Sequence, residues 1–244
     1  MEIVPAKRLS KEEVAEVNRS LEKASPQGVL EWALSAFGRR IALAWSGAED
    51  VAVLDMMHRI APGAARVFTL DTGRLNAETY ELIDEVQAKY GIPVEIQFPD
   101  ASAVQKMVGA KGINLFYRSL ENRKECCNVR KVEPLNRVLR SLDGWITGLR
   151  RTQAVTRGKL AKVEIDFGHD RIVKVNPLAD WTTEQTFDYL RTNGVPTNKL
   201  HAQGYPSIGC APCTRAIKAG EDERAGRWWW ESPESKECGL HPSP

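Results

Sequence analysis

What most restricts the fold of this chain is a repeated punctuation in its first two thirds: a short apolar run, a turn of small residues, then a stretch of helical period. Ile41–Trp45 is closed by Ser46 and Gly47, and the helical period that follows, Glu49 to Ile60, stops at Pro62 and Gly63. Arg66–Leu70 is closed by Asp71, Thr72 and Gly73, and a helix from about Asn76 to Tyr90 ends on Gly91. A third run, Pro93 to Phe98, comes next. Each run is too short for a helix and reads as a buried parallel strand. Strands alternating with helices predict an α/β fold: an open, mostly parallel sheet with helices on both faces.

Capping chemistry marks the helices. Ser10 and Glu13 form a capping box opening a helix to about Ala24, and Ser25 with Pro26 starts a second that Gly38 stops. Ala101 to Lys111 is helical, with Gly112 as its stop. A longer helical stretch, about Asn122 to Leu139, carries Pro134, which is expected to kink or split it. Trp145–Thr147 is a further short strand followed by a basic turn, Gly148 to Gln153, and Ile172–Val175 is the last strand. Thr182 and Gln185 cap a helix ending at Gly194, and beyond Pro196 the composition shifts to Gly, Pro, Cys, Trp and charge. At 244 residues the chain can bury a substantial core. The expected organisation is one domain over 1–244: N-terminal helices to about 38, a nucleotide-binding core over 39–195, and a loop-rich segment over 196–244 laid across the sheet.

With 34 Lys and Arg against 32 Asp and Glu, the net charge of +2 carries no nucleic-acid signal, so any anion site must be built from local basic clusters. No run reaches membrane-spanning length, and the first residues hold no apolar signal core. The expected setting is a reducing cytoplasm, where clustered cysteines bind metal or do chemistry more often than they bridge.

The Ser46–Asp50 turn, between a strand and a helix N-terminus, lets backbone amides approach an anion where the helix dipole favours one. Its bland reading is a turn with an N-cap. With Asp71–Gly73 and Gly148 at neighbouring strand ends, it makes a plausible adenylate pocket, since ligands of open α/β sheets bind beyond the strands' carboxyl ends. The chain has five cysteines. Cys126 and Cys127 are adjacent and so poor disulfide partners, and Cys210 and Cys213 form a second pair. Four sulfurs in two local pairs suit a tetrahedral zinc or an iron–sulfur cluster, although an adjacent pair is unusual for zinc. Buried apolar cysteines and a thioredoxin-like role for Cys210 and Cys213 are the other readings. Cys238 is left over, close in sequence to His241, where local cations would lower its pKa. Trp228–Trp230 read as packing anchors; His58 reads as structural, and His169 and His201 carry no assigned role.

Ser46–Asp50, Leu70–Gly73, Cys126 and Cys127 with Arg130 and Lys131, Gly148–Arg151, Cys210 with Cys213, and Glu237–His241 occur in order from about residue 40 to 241. Together they resemble the assimilatory adenylylsulfate (APS) reductases, the iron–sulfur type within the PAPS reductase family. The resemblance implies an adenine nucleotide alpha hydrolase-like fold, the PP-loop type; Ala48 and the Val51 after Asp50 depart from the usual PP-loop pattern. It implies that Cys126, Cys127, Cys210 and Cys213 hold a [4Fe–4S] cluster and that Cys238 is the nucleophile. Lys131, Arg224, Arg227 and His241 match positions around the phosphosulfate, and Ser46 and Gly47 form the nucleotide turn. Leu70 and Gly148 would offer backbone groups to adenine, and Arg150, Arg151 and Arg157 are candidates for ribose or phosphate. The implied reaction is thioredoxin-dependent reduction of adenylylsulfate to sulfite and AMP through a Cys S-sulfo intermediate, in assimilatory sulfate reduction and cysteine biosynthesis. Relatives using the 3′-phosphorylated nucleotide (PAPS) usually keep the tail and lack the cluster cysteines, so all five favour adenylylsulfate. The alternatives are a PAPS reductase and a non-catalytic nucleotide-binding zinc protein. The implied partners are the nucleotide and thioredoxin or a similar dithiol protein, with no nucleic acid and no membrane; a homo-oligomer is left open.

Overall fold

The computed structural model describes residues 8–64, 66–153, 157–232, 235–236 and 239–240. Two helices lead. In α1 (Lys11–Leu21) the expected capping box is complete: the Glu13 amide donates to the Ser10 hydroxyl at 3.1 Å, and the Ser10 amide to the Glu13 carboxylate at 2.7 Å. In α2 (Pro26–Phe37) Ser25 is the N-cap and proline opens the first turn, where its missing N–H costs nothing.

Six strands follow in one sheet: β1 (Ile41–Ala44), β2 (Val67–Leu70), β3 (Val94–Gln97), β4 (Gly144–Ile146), β5 (Val163–Asp166) and β6 (Ile172–Val175), in the spatial order β3-β2-β1-β4-β6-β5. All neighbours run parallel except β5 and β6. The expected parallel sheet is therefore present, with one addition. β5 was not anticipated from the sequence, although Val163-Glu164-Ile165-Asp166 alternates as a half-buried strand should. Its outer edge is covered by Asn18 of α1, which donates to the Val163 carbonyl at 2.8 Å and accepts the Val163 amide at 3.1 Å.

Alternation along the strands gives each face its own core. Ile41, Leu43, Val67, Ile146, Val173 and Val175 join α1, α2, α3 (Val51–Ile60), α4 (Ala77–Tyr90) and α8 (Thr183–Thr192) on one side. Ala42, Phe68, Trp145 and Ile172 meet Leu135, Val138 and Leu139 of α7 (Glu133–Leu139) on the other. Both faces are covered by helices, as the pattern predicts.

The expected helix over about Asn122 to Leu139 is three pieces. α6 (Leu120–Cys127) is capped by Ser119, a π-helical segment spans Asn128–Val132, and α7 completes the run. Pro134 sits in the first turn of α7. The wider π turn just before it takes up the distortion that proline imposes on the preceding carbonyls. α5 (Ala101–Lys111) ends at Gly112 as expected. Among the described residues no helix is long and apolar enough to cross a membrane.

Candidate active site

The chain lays β2 and β3 on one side of β1 and then returns to place β4 and β6 on the other. The strand order reverses between β1 and β4, and there a crevice opens beyond the strands' carboxyl ends. A cavity of about 190 Å³ occupies it, lined by Ser46 after β1, Leu70 at the end of β2, Gly148 after β4, Lys131 of the π segment, and Arg157, Arg224 and Arg227. The structure thus gathers seven of the sequence-predicted substrate residues in one cleft.

The turn after β1 is organised from within. The Asp50 carboxylate accepts the Ser46 amide at 2.7 Å and the Ala48 amide at 3.2 Å. Two amides that the sequence suggested for an external anion are therefore held by the chain's own carboxylate. Burial, together with the neighbouring Glu49 charge, raises the Asp50 pKa to about 7, against the pull of those two amides. Gly47 does not line the cleft. It has a φ of +78°, its carbonyl accepts from Asn198 Nδ2 at 2.9 Å, and a Cβ there would stand 2.6 Å from Thr79 Cγ2. Gly148 lines the cleft but is a glycine for a packing reason: a Cβ would lie 2.3 Å from Asp50 Cβ.

Among the three candidate arginines the structure distinguishes sharply. Arg157 lines the cleft and donates to Gln153 Oε1 at 2.6 Å. Arg151 points away, paired with Asp180 and donating to the Leu160 carbonyl at 2.6 Å. Arg150 is buried behind the cleft wall, its Nη1 3.0 Å from Glu49 Oε1.

A second pocket adjoins the first. Cys126, Cys127, Cys210 and Cys213 all line it, with Arg74, Arg123, Arg130, Lys131, Phe116 and Trp228. All four are free thiols. Among the described residues no three His, Cys, Asp or Glu side chains stand together as a metal ion's ligand set, and the four thiols share the lining of this pocket. Their environments differ. Burial pushes the Cys213 thiol up to about 12, helped by the charge of Cys210, and burial also raises Cys126. At Cys210 burial opposes ionisation, but Lys131, the Thr72 hydroxyl at 3.3 Å and Arg227 outweigh it and the pKa falls.

The loop after β2 fastens both cysteine segments. Arg130 donates to the Thr72 carbonyl at 2.6 Å, the Ala211 amide to the Arg74 carbonyl at 2.8 Å, and Asn76 to the Gly209 carbonyl at 3.2 Å. Lys131 and Cys210 line both pockets, so the thiol site and the cleft share a wall. Sequence reasoning missed Thr72, Asp50, Glu49 and Gln153 as parts of the site. All lie within or beside motifs already singled out; Asp50 is engaged by amides of its own turn, while Thr72 meets Cys210 and Gln153 meets Glu49 across the chain.

Trp228 locks the C-terminal segment. Its φ is +39°, rare for a bulky residue, and its amide donates to the Cys213 carbonyl at 3.1 Å. The Arg123 and Arg227 guanidinium carbons lie 4.7 and 4.8 Å from its ring. Arg224 donates to the Lys236 carbonyl at 2.9 Å, and Leu240 lines the cleft against the α7-side core. The chain on both sides of Cys238 is thus held at the cleft; Cys238 and His241 themselves lie outside the described residues.

A cleft at the switch point of an open α/β sheet, walled by cations and joined to a ring of thiols, defines an α/β domain shaped for an anionic ligand. The chain matches the phosphoadenosine phosphosulfate reductase domain over residues 40–216, and it belongs to that family. It is 56% identical over 175 residues to the adenosine 5′-phosphosulfate reductase of Burkholderia cepacia, covering 72% of this chain and 70% of that one. It is 48% identical over 238 residues to the chloroplastic 5′-adenylylsulfate reductase 3 of Arabidopsis thaliana, covering 94% of this chain and 51% of that one. The chain therefore spans about half the length of the plant relatives it matches. The crystal structure of phosphoadenylyl-sulfate reductase from Candida auris in a phosphate complex superposes with a TM-score of 0.74 at 28% identity, covering 87% of this chain and all of that one.

Proposed function

We propose that this chain reduces adenylylsulfate to sulfite and AMP, with Cys238 as nucleophile and a thioredoxin-type dithiol protein as reductant. The observation that carries the reading is the cleft itself: Lys131, Arg157, Arg224 and Arg227 face one cavity beyond the strand ends, and the chain flanking Cys238 is held at it. Cations placed there offset the repulsion between a thiolate and a phosphosulfate anion, and the charge that develops on the departing AMP. The names of the bacterial and plant relatives support adenylylsulfate as the nucleotide.

The Cys238 thiolate attacks the sulfonyl sulfur, the bond from that sulfur to the AMP phosphate oxygen breaks, and the sulfo group stays on Cys238. One thiolate of the dithiol protein then attacks the Cys238 sulfur and sulfite leaves with the bonding pair. The second thiol resolves the mixed disulfide, so the dithiol is oxidised as sulfur goes from sulfate to sulfite level.

We assign the four ringed thiols to a [4Fe–4S] cluster. An all-sulfur donor set suits it, and Arg74, Arg123, Arg130 and Lys131 around the pocket offset the charge of four thiolates. When bound, such a group supplies a rigid cross-link between the two cysteine segments. Cytoplasmic placement and one reductase unit formed by the core and C-terminal segment belong to the same reading.

Wild-type protein mixed with adenylylsulfate without reductant should gain the mass of one SO₃ group, about 80 Da, on the peptide containing Cys238. The Cys238→Ser protein should keep its iron and sulfide, form no adduct and release no sulfite. An adduct on Cys210 or Cys213, or zinc without sulfide in anaerobically prepared protein, would overturn the corresponding part. The Candida auris likeness favours a second reading, reduction of the 3′-phosphorylated nucleotide. A higher kcat/KM for that nucleotide than for adenylylsulfate would put it first.

A further inference from the structure

Arg150 is one of the largest fully buried side chains of the protein, and it does not line the cleft. Taking a guanidinium out of water costs several kcal/mol unless its partners are well placed, and an apolar side chain often fills such a space as stably. A charge kept in that position calls for a reason beyond stability.

Its partners supply one. Nη1 donates to Glu49 Oε1 at 3.0 Å, on the turn after β1. Nη2 lies 3.4 Å from Thr183 Oγ1 at the start of α8 and 4.0 Å from Glu223 Oε2, while the Thr183 hydroxyl donates to Glu223 Oε1 at 2.6 Å. The planar fork therefore reaches three segments distant from it in sequence: the turn after β1, the start of α8 and the C-terminal segment. Two of them carry cleft residues, Glu49 itself and Arg224. Glu49 Oε1 also accepts Gln153 Nε2 at 3.1 Å, and Gln153 Oε1 takes both the Arg150 amide at 3.2 Å and Arg157 Nη1 at 2.6 Å. Only one orientation of the Gln153 amide satisfies all three bonds. Glu223 is followed directly by Arg224.

We propose that Arg150 is a positioning residue for the cleft: it fixes Glu49 and Gln153 so that Arg157 is held towards the bound nucleotide. It touches no ligand itself. The inference rests on the reading of the cleft as a nucleotide site.

The test is a double-mutant cycle read by AMP affinity, using isothermal titration on the full chain. Arg157→Ala, Arg150→Lys and Gln153→Leu should each raise the Kd for AMP, by about five- to tenfold for the two that act through Arg157. Arg150→Lys keeps the buried charge and loses the fork; Gln153→Leu changes no charge and serves if the lysine variant folds poorly. Combined with Arg157→Ala, either should add less than about twofold, because the contact it sets is already gone. A purely structural role would lower the unfolding midpoint and shift Kd by the same factor in both backgrounds. Multiplicative effects on Kd, or an Arg150→Lys protein that binds AMP like wild type, would overturn the proposal. If wild-type protein fails to bind AMP at all, the nucleotide reading falls and takes this inference with it.

Discussion

On the strand side of the cleft, Ser46, Leu70 and Gly148 stand where backbone ladders put them; on the opposite side, Arg224 and Arg227 stand where single side chains hold them. The strand side is fixed by repeated bonds: the Trp45 amide to the Phe68 carbonyl at 2.9 Å, Asp71 to Gln97 at 3.0 Å, Thr147 to Val175 at 2.9 Å. Over the C-terminal segment the described residues show one isolated bridge, Thr214 with Arg227. Besides scattered backbone bonds such as Trp228 to Cys213 at 3.1 Å, what holds it is a set of individual bolts: Arg123 with Glu231 at 2.8 Å, Arg215 with Glu221 at 2.8 Å, and Arg227 on the Ile208 carbonyl at 3.2 Å. A ladder loses little with one bond. A bolt is lost whole.

Arg123→Met tests this contrast with the largest effect. It leaves the Glu231 side chain, 7% exposed, without its fork and removes the donor to the Ser235 carbonyl at 2.6 Å. Removing one partner of such a buried pair costs about 3–5 kcal/mol. Urea unfolding should show it, and limited proteolysis should cut the segment beyond residue 214 before the sheet. An unchanged midpoint and cutting pattern would erase the distinction between the two sides.

A smaller effect belongs to the strand side. With its pKa raised to about 7, chiefly by burial, Asp50 holds its proton more tightly in the folded protein than in the unfolded chain. Its contribution to stability is therefore complete below the unfolded value, near 4, and is lost as pH rises towards 7. Asp50→Asn removes this titration. Wild type should gain on the variant by on the order of 2 kcal/mol when the pH falls from about 8 to about 5. Parallel stability curves for the two proteins would contradict it.

The smallest effect is Thr182→Ala, which breaks the capping box of α8 and should cost about 1 kcal/mol in the same unfolding assay while leaving AMP affinity within twofold. A large loss of affinity would mean that α8 reaches the cleft more directly than through Thr183 and Glu223.

The same contrast explains what was legible in the sequence. The helices announced themselves by caps such as Ser10, Ser25 and Thr182, and the central strands by short apolar runs that can be buried on both faces. β5 escaped because four alternating residues at an edge carry a weak signal, and because its outer neighbour is the side chain of Asn18. The motifs converge on one cleft, whose lining holds Lys131, Arg157, Arg224 and Arg227. They did not distinguish Arg157 from Arg151, because Asp180, which draws Arg151 away, belongs to no motif. Nor could they show Arg123 with Glu231, partners 108 positions apart whose pairing exists only once the chain is folded.

The π segment at Asn128–Val132 has a consequence for how this architecture tolerates change in length. An α-helix advances about 100° per residue, so one extra residue in a turn shifts the phase of everything beyond it by roughly that angle. Here the shift separates two duties of one helical run: Cys126 and Cys127 before it face the thiol ring, while Leu135, Val138 and Leu139 after it face the sheet. Lys131 lies inside the shift, at the wall common to both pockets. Deleting a single residue between 128 and 132 would restore a regular helix and put those duties out of phase. Deleting Asn128, Val129 or Val132 would spare every motif residue and still set the cysteines and the apolar stripe at an angle the rest of the chain cannot meet.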